Sequence, residues 1–238
     1  MSVAATRLLI FDLDGTLVDS QDMIVESQRR TFLAHGLTPP DRRTSLSVVG
    51  LSLREAFAQL VGADWPAEGM AETYKSLFQE LRLDASRAEP FFPGALETVA
   101  RYGANPAYFL GVATGKSRRG VRHLFSRTGW DSLFATVQTA DDHPSKPAPD
   151  MIHAALAETG VAPARACMIG DTSFDMAMAK AAGVQAIGVA WGYHAIDALL
   201  AAGADQVISD FAELDRLLDE AVPSPRRAER GRRHRRNP

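Results

Sequence analysis

Two aspartates, Asp12 and Asp14, stand one residue apart where the apolar run Leu8-Leu9-Ile10-Phe11 stops. Paired carboxylates can hold a hard cation through oxygen, attack an electrophile, or pass protons to a leaving group and from a water. A second pair, Asp171 and Asp175, follows another apolar run, Ala166-Cys167-Met168-Ile169. Four residues apart at a helix start, both carboxylates lie on one face. The segment Thr114-Gly115-Lys116 closes a third apolar run, and Lys146 follows a fourth. A hydroxyl, a glycine amide and a lysine ammonium are groups that meet an anion.

These residues act together only if the elements before them end on one edge. The run into Asp12 has the length of a strand buried on both faces, and further strands are expected near 108–113, 136–139, 166–169, 186–189 and 206–208, with helices between. Such alternation implies parallel crossovers, and open parallel sheets bind ligands beyond the carboxyl ends of their strands. Gly15 supplies the turn that folds the chain back over the carboxylates. Residues 18–90 carry helical spacing throughout, a helix from about 19 to 35 and the faces Leu53, Ala56, Phe57, Leu60 and Met70, Tyr74, Leu77, Phe78, Leu81. An insert of that length is far beyond a normal βα connection and looks like a small separate bundle. Pro90 and Pro93-Gly94 mark its end. The expected fold is α/β, a doubly wound parallel sheet (Rossmann-like) formed by 1–17 and 91–222, with a small all-helical domain from 18–90 inserted after the first strand.

The chain of 238 residues carries a formal charge of −3, yet residues 223–238 hold seven Arg against one Glu. That segment is expected to be a disordered Arg-rich tail, leaving the remainder at −9. An acidic body argues against a nucleic-acid surface there and leaves the tail as the only place for such a contact. The sole cysteine, Cys167, excludes a disulfide within the chain and reads as a small core residue. No apolar stretch reaches the ~18 residues of a membrane span, and 8–11 is too short for a signal-peptide core. A cytoplasmic protein without a membrane partner is expected, as monomer or homodimer. A calcium loop is excluded because position twelve from Asp12 is Met23, and a nucleotide P-loop because Gly111 and Gly115 have three residues between them where four are required.

In their order, Asp12-Leu-Asp-Gly-Thr16, Thr114, Lys146 and Gly170-Asp171 through Asp175 resemble the four motifs of the haloacid dehalogenase superfamily, specifically its phosphoglycolate phosphatase-like members. The resemblance covers about 8–191. It implies a phosphatase of small phosphorylated metabolites that uses Mg²⁺, held by the side chains of Asp12 and Asp171 and the backbone carbonyl of Asp14. Asp12 is then the nucleophile that forms an aspartyl-phosphate. Asp14 is the general acid and base, an acid that dehalogenase and phosphonate-cleaving relatives lack there. Thr114, Gly115, Lys116 and Lys146 are assigned to the phosphate, and Asp175 to orienting a metal water or Lys146.

The helical insert becomes a cap over the site, since Lys146 comes only 32 positions after Thr114 and leaves no room for a second one. Gly50 lies in its specificity loop, and Arg54 is the candidate contact for a substrate carboxylate, ahead of Arg42 and Arg43. Two other readings stay open. One is a phosphomutase that passes the phosphate to a sugar hydroxyl, as β-phosphoglucomutase-like members do. The other is a binding protein that works through its basic tail, which would have no need of both Asp12 and Asp14.

Overall fold

β1 (Arg7–Phe11) alternates its side chains between two apolar layers, Leu8 and Ile10 on one side, Leu9 and Phe11 on the other, all fully buried. A strand with both faces covered belongs at the centre of a parallel sheet. The computed structural model describes residues 6–62, 67–84 and 89–220, and it puts β1 there. The expected tail at 223–238 lies outside the described residues.

Six parallel strands, β1 with β2 (Tyr108–Thr114), β3 (Phe134–Thr139), β4 (Ala166–Gly170), β5 (Gln185–Val189) and β6 (Gln206–Ile208), run in the order β3-β2-β1-β4-β5-β6. All five strands expected after β1 are present within two residues of their expected starts. Numbering proceeds outward from β1 on one side and outward from β4 on the other, so the order reverses between β1 and β4. A crevice opens at such a reversal, beyond the strands' carboxyl ends. Register fixes who meets there: Phe11 lies level with Val112 on β2 and with Ile169 on β4, so Asp12, Thr114 and Asp171 all emerge on that edge.

Helices cover both faces. α5 (Ala95–Gly103), α6 (Arg118–Thr128) and α10 (Phe211–Glu220) pack Val99, Leu124 and Leu214 against Leu9 and Phe11. On the opposite face α7 (Asp150–Thr159), α8 (Ser173–Ala181) and α9 (Ile196–Ala201) pack Ile152, Met176 and Leu199 against Leu8 and Ile10. Cys167 is a buried free thiol in the first layer, and burial pushes it up to about 12, so it stays protonated and unreactive at neutral pH.

Between β1 and α5 lie α1 (Gln21–Ala34), α2 (Arg42–Leu46), α3 (Leu53–Val61) and α4 (Ala67–Arg82). They have their own core, in which Phe57 sits against the rings of Phe32 and Tyr74 at 6.2 and 5.9 Å between centroids. The first helix begins at Gln21, two residues later than its expected start, with Ser20 as its N-cap. The five-residue α2 is too short to show a periodic face. It is set by its cap, the Asp41 carboxylate accepting from Thr44 N at 2.7 Å. Two antiparallel passes join the insert to the sheet: Asp19 N donates to Pro90 O at 2.8 Å and Phe92 N to Leu17 O at 3.1 Å.

Phe57 is 1% exposed, and its truncation leaves a cavity in the core that Phe32, Met70 and Tyr74 share. Phe57→Ala is expected to lower the insert's unfolding free energy by about 3–5 kcal/mol, read by urea denaturation followed through the insert's aromatic signals. An unchanged transition would mean that this core does not hold the helices together.

Candidate active site

The chain leaves β1 still tied to the sheet, Asp12 N donating to Ile169 O at 2.9 Å. Asp12 is 1% exposed; its Oδ1 accepts from Leu13 N at 2.7 Å and its Oδ2 lies 3.0 Å from Lys146 Nζ. The same ammonium donates to Asp175 Oδ1 at 2.6 Å. Asp175 is fixed in turn by a reciprocal cap at the start of α8, its Oδ2 accepting from Thr172 N at 3.0 Å and Thr172 Oγ1 at 2.7 Å. Asp171, fully buried, accepts from Thr16 Oγ1 at 2.9 Å on one oxygen and from Tyr193 N at 2.9 Å on the other. Gly15 and Gly192 make room for it, since a Cβ on either would come within 2.2 Å of an Asp171 side-chain atom. Gly15 also holds a φ of +88°.

Three carboxylates and one ammonium in a dry volume are unbalanced. Burial, more than the neighbouring Asp175 and Asp12, pushes Asp171 well above the usual carboxylate range. Burial likewise raises Asp12, although Lys146 and a hydrogen bond from Thr114 pull it back. Lys146 sits the other way. Desolvation disfavours its charge, but Asp12 and Asp175 outweigh that and hold it above an ordinary lysine. Asp12, Asp171 and Asp175 each bring a ligand oxygen to within 4.8 Å of the others. Oxygen-only donors with excess negative charge suit a hard divalent cation. Asp175 already accepts from Lys146 and twice from Thr172, and Asp171 from Thr16 and Tyr193, so each has part of its acceptor capacity taken.

Asp14 stands apart from this cluster. Its Oδ1 accepts from Ser20 Oγ at 2.6 Å and from Lys116 Nζ at 2.7 Å. Lys116 also donates to Glu89 Oε1 at 3.2 Å, and Glu89 pairs with Arg82 at 3.2 Å. Burial works against the Glu89 charge, but Lys116 and Arg82 keep its carboxyl below the usual range. Asp12, Asp14 and Thr114 line one cavity of about 250 Å³ between sheet and insert, whose far walls include Val49, Leu51, Tyr74 and Phe78. Insert and sheet touch where Gly115 passes under the carbonyls of Gly50 and Leu51, so closely that a Cβ on Gly115 would lie 2.6–2.7 Å from both oxygens. Ser52 N donates to Ser145 Oγ at 2.7 Å beside them.

A sequence model described as haloacid dehalogenase-like hydrolase matches residues 9–189, which spans both the sheet and the insert. The chain belongs to this family. It is 36% identical over 212 residues to the "Probable phosphatase IndB" of Dickeya dadantii (strain 3937), covering 87% of this chain and 91% of that one. A phosphoglycolate phosphatase of Agrobacterium fabrum (strain C58) is 30% identical over 222 residues, with 91% and 94% covered. Among solved structures, a haloacid dehalogenase-like family hydrolase of Streptococcus pneumoniae superposes with a TM-score of 0.77 at 26% identity, over 90% of this chain and 99% of its own. A phosphatase of the haloacid dehalogenase-like family accounts for the ordered carboxylates and for the cavity beside them.

Within this family member, Asp12, Asp171, Asp175 and Lys146 come together as one cluster, while Thr114 is buried beside Asp12 and its Oγ1 accepts from Lys116 N at 3.2 Å. Gly50, Gly115 and Lys116 line the cavity. Lys116, expected to meet a phosphate, instead has its ammonium committed to Asp14 and Glu89. Arg54 does not reach the cavity. Leu53 and Ala56 use the inward face of α3, which turns Arg54 outward to an exposed position beside a second pocket. Arg42 is also exposed and pairs with Asp22 at 2.7 Å, and Arg43 is exposed on α2. The cationic side chains that do line the cavity besides Lys116 are Lys75, Arg82 and Arg119. Thr16, Ser20, Glu89 and Tyr193 escape the sequence reading; only Thr16, inside the first motif, carries a signal there.

Gly192→Ala is expected to push Asp171 off Tyr193 N and to lower phosphate release at least tenfold, because the added Cβ would lie 2.0 Å from that of Asp171. Gly183→Ala, at a φ of +69° with nothing within 4 Å, is expected to cost only about 1–2 kcal/mol of stability and to leave turnover near that of wild type. Equal activity in the two variants would overturn the steric reason for Gly192.

Proposed function

We propose that this chain is a Mg²⁺-dependent phosphatase that hydrolyses a small phosphomonoester, phosphoglycolate-like or a sugar phosphate, through an aspartyl-phosphate on Asp12. The observation that carries the reading is the split between the two carboxylates. Asp12 is held by Lys146 inside the charged cluster, and Asp14, two residues on, is held outside it by Ser20 and Lys116, yet both line the same cavity. A nucleophile must be ionised and close to phosphorus, and a proton donor must reach the leaving oxygen from the other side of it.

In this reading Asp12 Oδ attacks phosphorus in line, and the ester oxygen departs with a proton from Asp14. A water, giving its proton to Asp14, then attacks the aspartyl-phosphate; phosphate leaves and Asp12 is restored. Lys146 and the Thr114 hydroxyl face the charge on the transferring group, with Asp175 keeping Lys146 in place. Mg²⁺ held by Asp12, Asp171 and the Asp14 carbonyl would keep Asp12 ionised and offset its repulsion from the phosphate. The insert over the cavity limits the access of bulk water to the intermediate. The lone cysteine is buried and protonated, and among the described residues no helix is long and apolar enough to cross a membrane; both fit a cytoplasmic enzyme whose partner is its small phosphorylated substrate.

Phosphate release from a panel of phosphomonoesters, with Mg²⁺ and with chelator, tests this. Release is expected only with the metal, and Asp12→Asn is expected to reduce it at least a thousandfold; appreciable turnover in that variant would sink the mechanism. Transfer to an added sugar in place of release would mean a mutase. Asp14→Asn is expected to slow turnover by about a hundred- to ten-thousandfold while divalent-cation binding, followed by calorimetry, stays within a few-fold of wild type. Loss of binding in Asp14→Asn would count against the acid–base role.

A further inference from the structure

The Asp14 carboxylate is held by one oxygen. Ser20 Oγ donates to Oδ1 at 2.6 Å and Lys116 Nζ donates to the same Oδ1 at 2.7 Å. Among the described residues Oδ2 accepts no hydrogen bond, and it is not one of the enclosed polar atoms without a partner, which are Ser27 Oγ, Gln28 Oε1 and His194 Nε2. It is open to the cavity that the Asp14 side chain, 13% exposed, helps to line. A carboxylic acid keeps its proton best on the oxygen that is not already accepting from a cation. The Lys116 contact therefore leaves Oδ2 as the oxygen that can exchange a proton with a leaving group.

Lys116 is itself built into place. Its side chain is 8% exposed, and its stem runs over Gly120 on α6, where an added Cβ would lie 2.9 Å from it. The ammonium is shared with Glu89 Oε1 at 3.2 Å and stands 5.4 Å from the centre of the Phe78 ring. Arg82, the last residue of α4, takes the other Glu89 oxygen at 3.2 Å and lies 4.8 Å over the same ring. A lysine ammonium on a flexible stem has no fixed donor direction, so it keeps one geometry only where its partners impose it. Here Glu89 imposes it from behind. Glu89 is 5% exposed and stands outside the cavity lining, so any effect it has on the reaction passes through Lys116.

We propose that Lys116 and Glu89 are positioning residues for the proton donor: Glu89 keeps the Lys116 ammonium on Asp14 Oδ1, and that contact presents Asp14 Oδ2 to the leaving oxygen. The Oδ2 proton passes to the ester oxygen as its bond to phosphorus breaks and the phosphoryl group joins Asp12. This rests on the phosphatase reading, in which Asp14 is the acid, and adds the residues that aim it.

The test varies how much the leaving group needs a proton. Nitrophenolate departs without one and methoxyphenolate is helped by one, while the two rings differ little in size; kcat/KM reports the steps up to that departure. In Lys116→Met the ratio of kcat/KM for p-methoxyphenyl phosphate to that for p-nitrophenyl phosphate is expected to fall about tenfold. Glu89→Gln, which keeps the shape and weakens the hold on the ammonium, is expected to lower the same ratio by less. In an Asp14→Asn background, Lys116→Met is expected to leave the ratio where Asp14→Asn put it, because no acid remains to aim. A ratio that either single variant leaves unchanged overturns the proposal, since a lysine that bound the phosphate or only supported the fold would slow both esters alike. A further fall of the ratio in the double variant overturns it too. Should Lys116→Met not fold, Glu89→Gln decides by the same ratio. Where the aryl esters are refused, propyl phosphate and acetyl phosphate, whose carboxylate departs unprotonated, make the same comparison. Hydrolysis of no phosphate ester at all by wild type would instead remove the phosphatase reading beneath it.

Discussion

Lys146 is the one side chain on which the rest of the site depends. It is among the largest fully buried side chains of the protein, and its ammonium bridges Asp12 and Asp175 with no solvent at hand. Without it Asp12 would lie buried beside a second carboxylate with no cation to favour the charge that the proposed nucleophile needs. The dependence is mutual, since removing one partner from a buried pair leaves an uncompensated charge worth about 3–5 kcal/mol. The cap on α8 that orients Asp175 is therefore part of the same device. So is the Thr172 backbone, which directs Asp175 Oδ2 away and leaves Oδ1 to the lysine.

The sheet explains why a lysine from one loop can find aspartates from two others. Strands β1, β2 and β4 are adjacent and in register, so residues one or two places beyond their last paired positions must converge. Apolar burial on both faces of β1 fixes that register, because a slip of one residue would exchange the two layers. Here the fold serves the site through sterics as well as alignment: Asp171 fits only because Gly15 and Gly192 lack side chains.

What the sequence made legible follows from this. Asp12, Asp14, Asp171 and Lys146 could be read because each follows an apolar strand, and strand ends on one edge are a property of parallel topology. The strands themselves were plain from their apolar runs. Glu89, Arg82 and Tyr193 were not, because their meaning arises only when the insert folds back on the sheet. Tyr193 OH accepts from Ser20 N across 173 positions, a contact that no local pattern encodes. Arg54 was misread for the opposite reason. Its proximity to Gly50 in the chain suggested the site, whereas the register of α3 decides its direction, and Leu53 and Ala56 take the inward face. The short α2 left no period to read.

The spacing of Asp12 and Asp14 gains its sense from where each is anchored. Asp12 is tied to the sheet through Ile169 O and Lys146. Asp14 already belongs to the passage into the insert: it bridges to Val18, and its carboxylate accepts from Ser20, the cap of α1. Lys116 and Glu89 complete its setting from the sheet side and from the returning strand of chain. Two carboxylates with one residue between them are thus held by different parts of the fold. One residue more would turn the second side chain to the other face of the extended chain. A separation of two lets Asp12, the proposed nucleophile, stay with the charged cluster while Asp14, the proposed acid, is set by the insert, so in that reading the proton donor takes its place only where the insert covers the cavity.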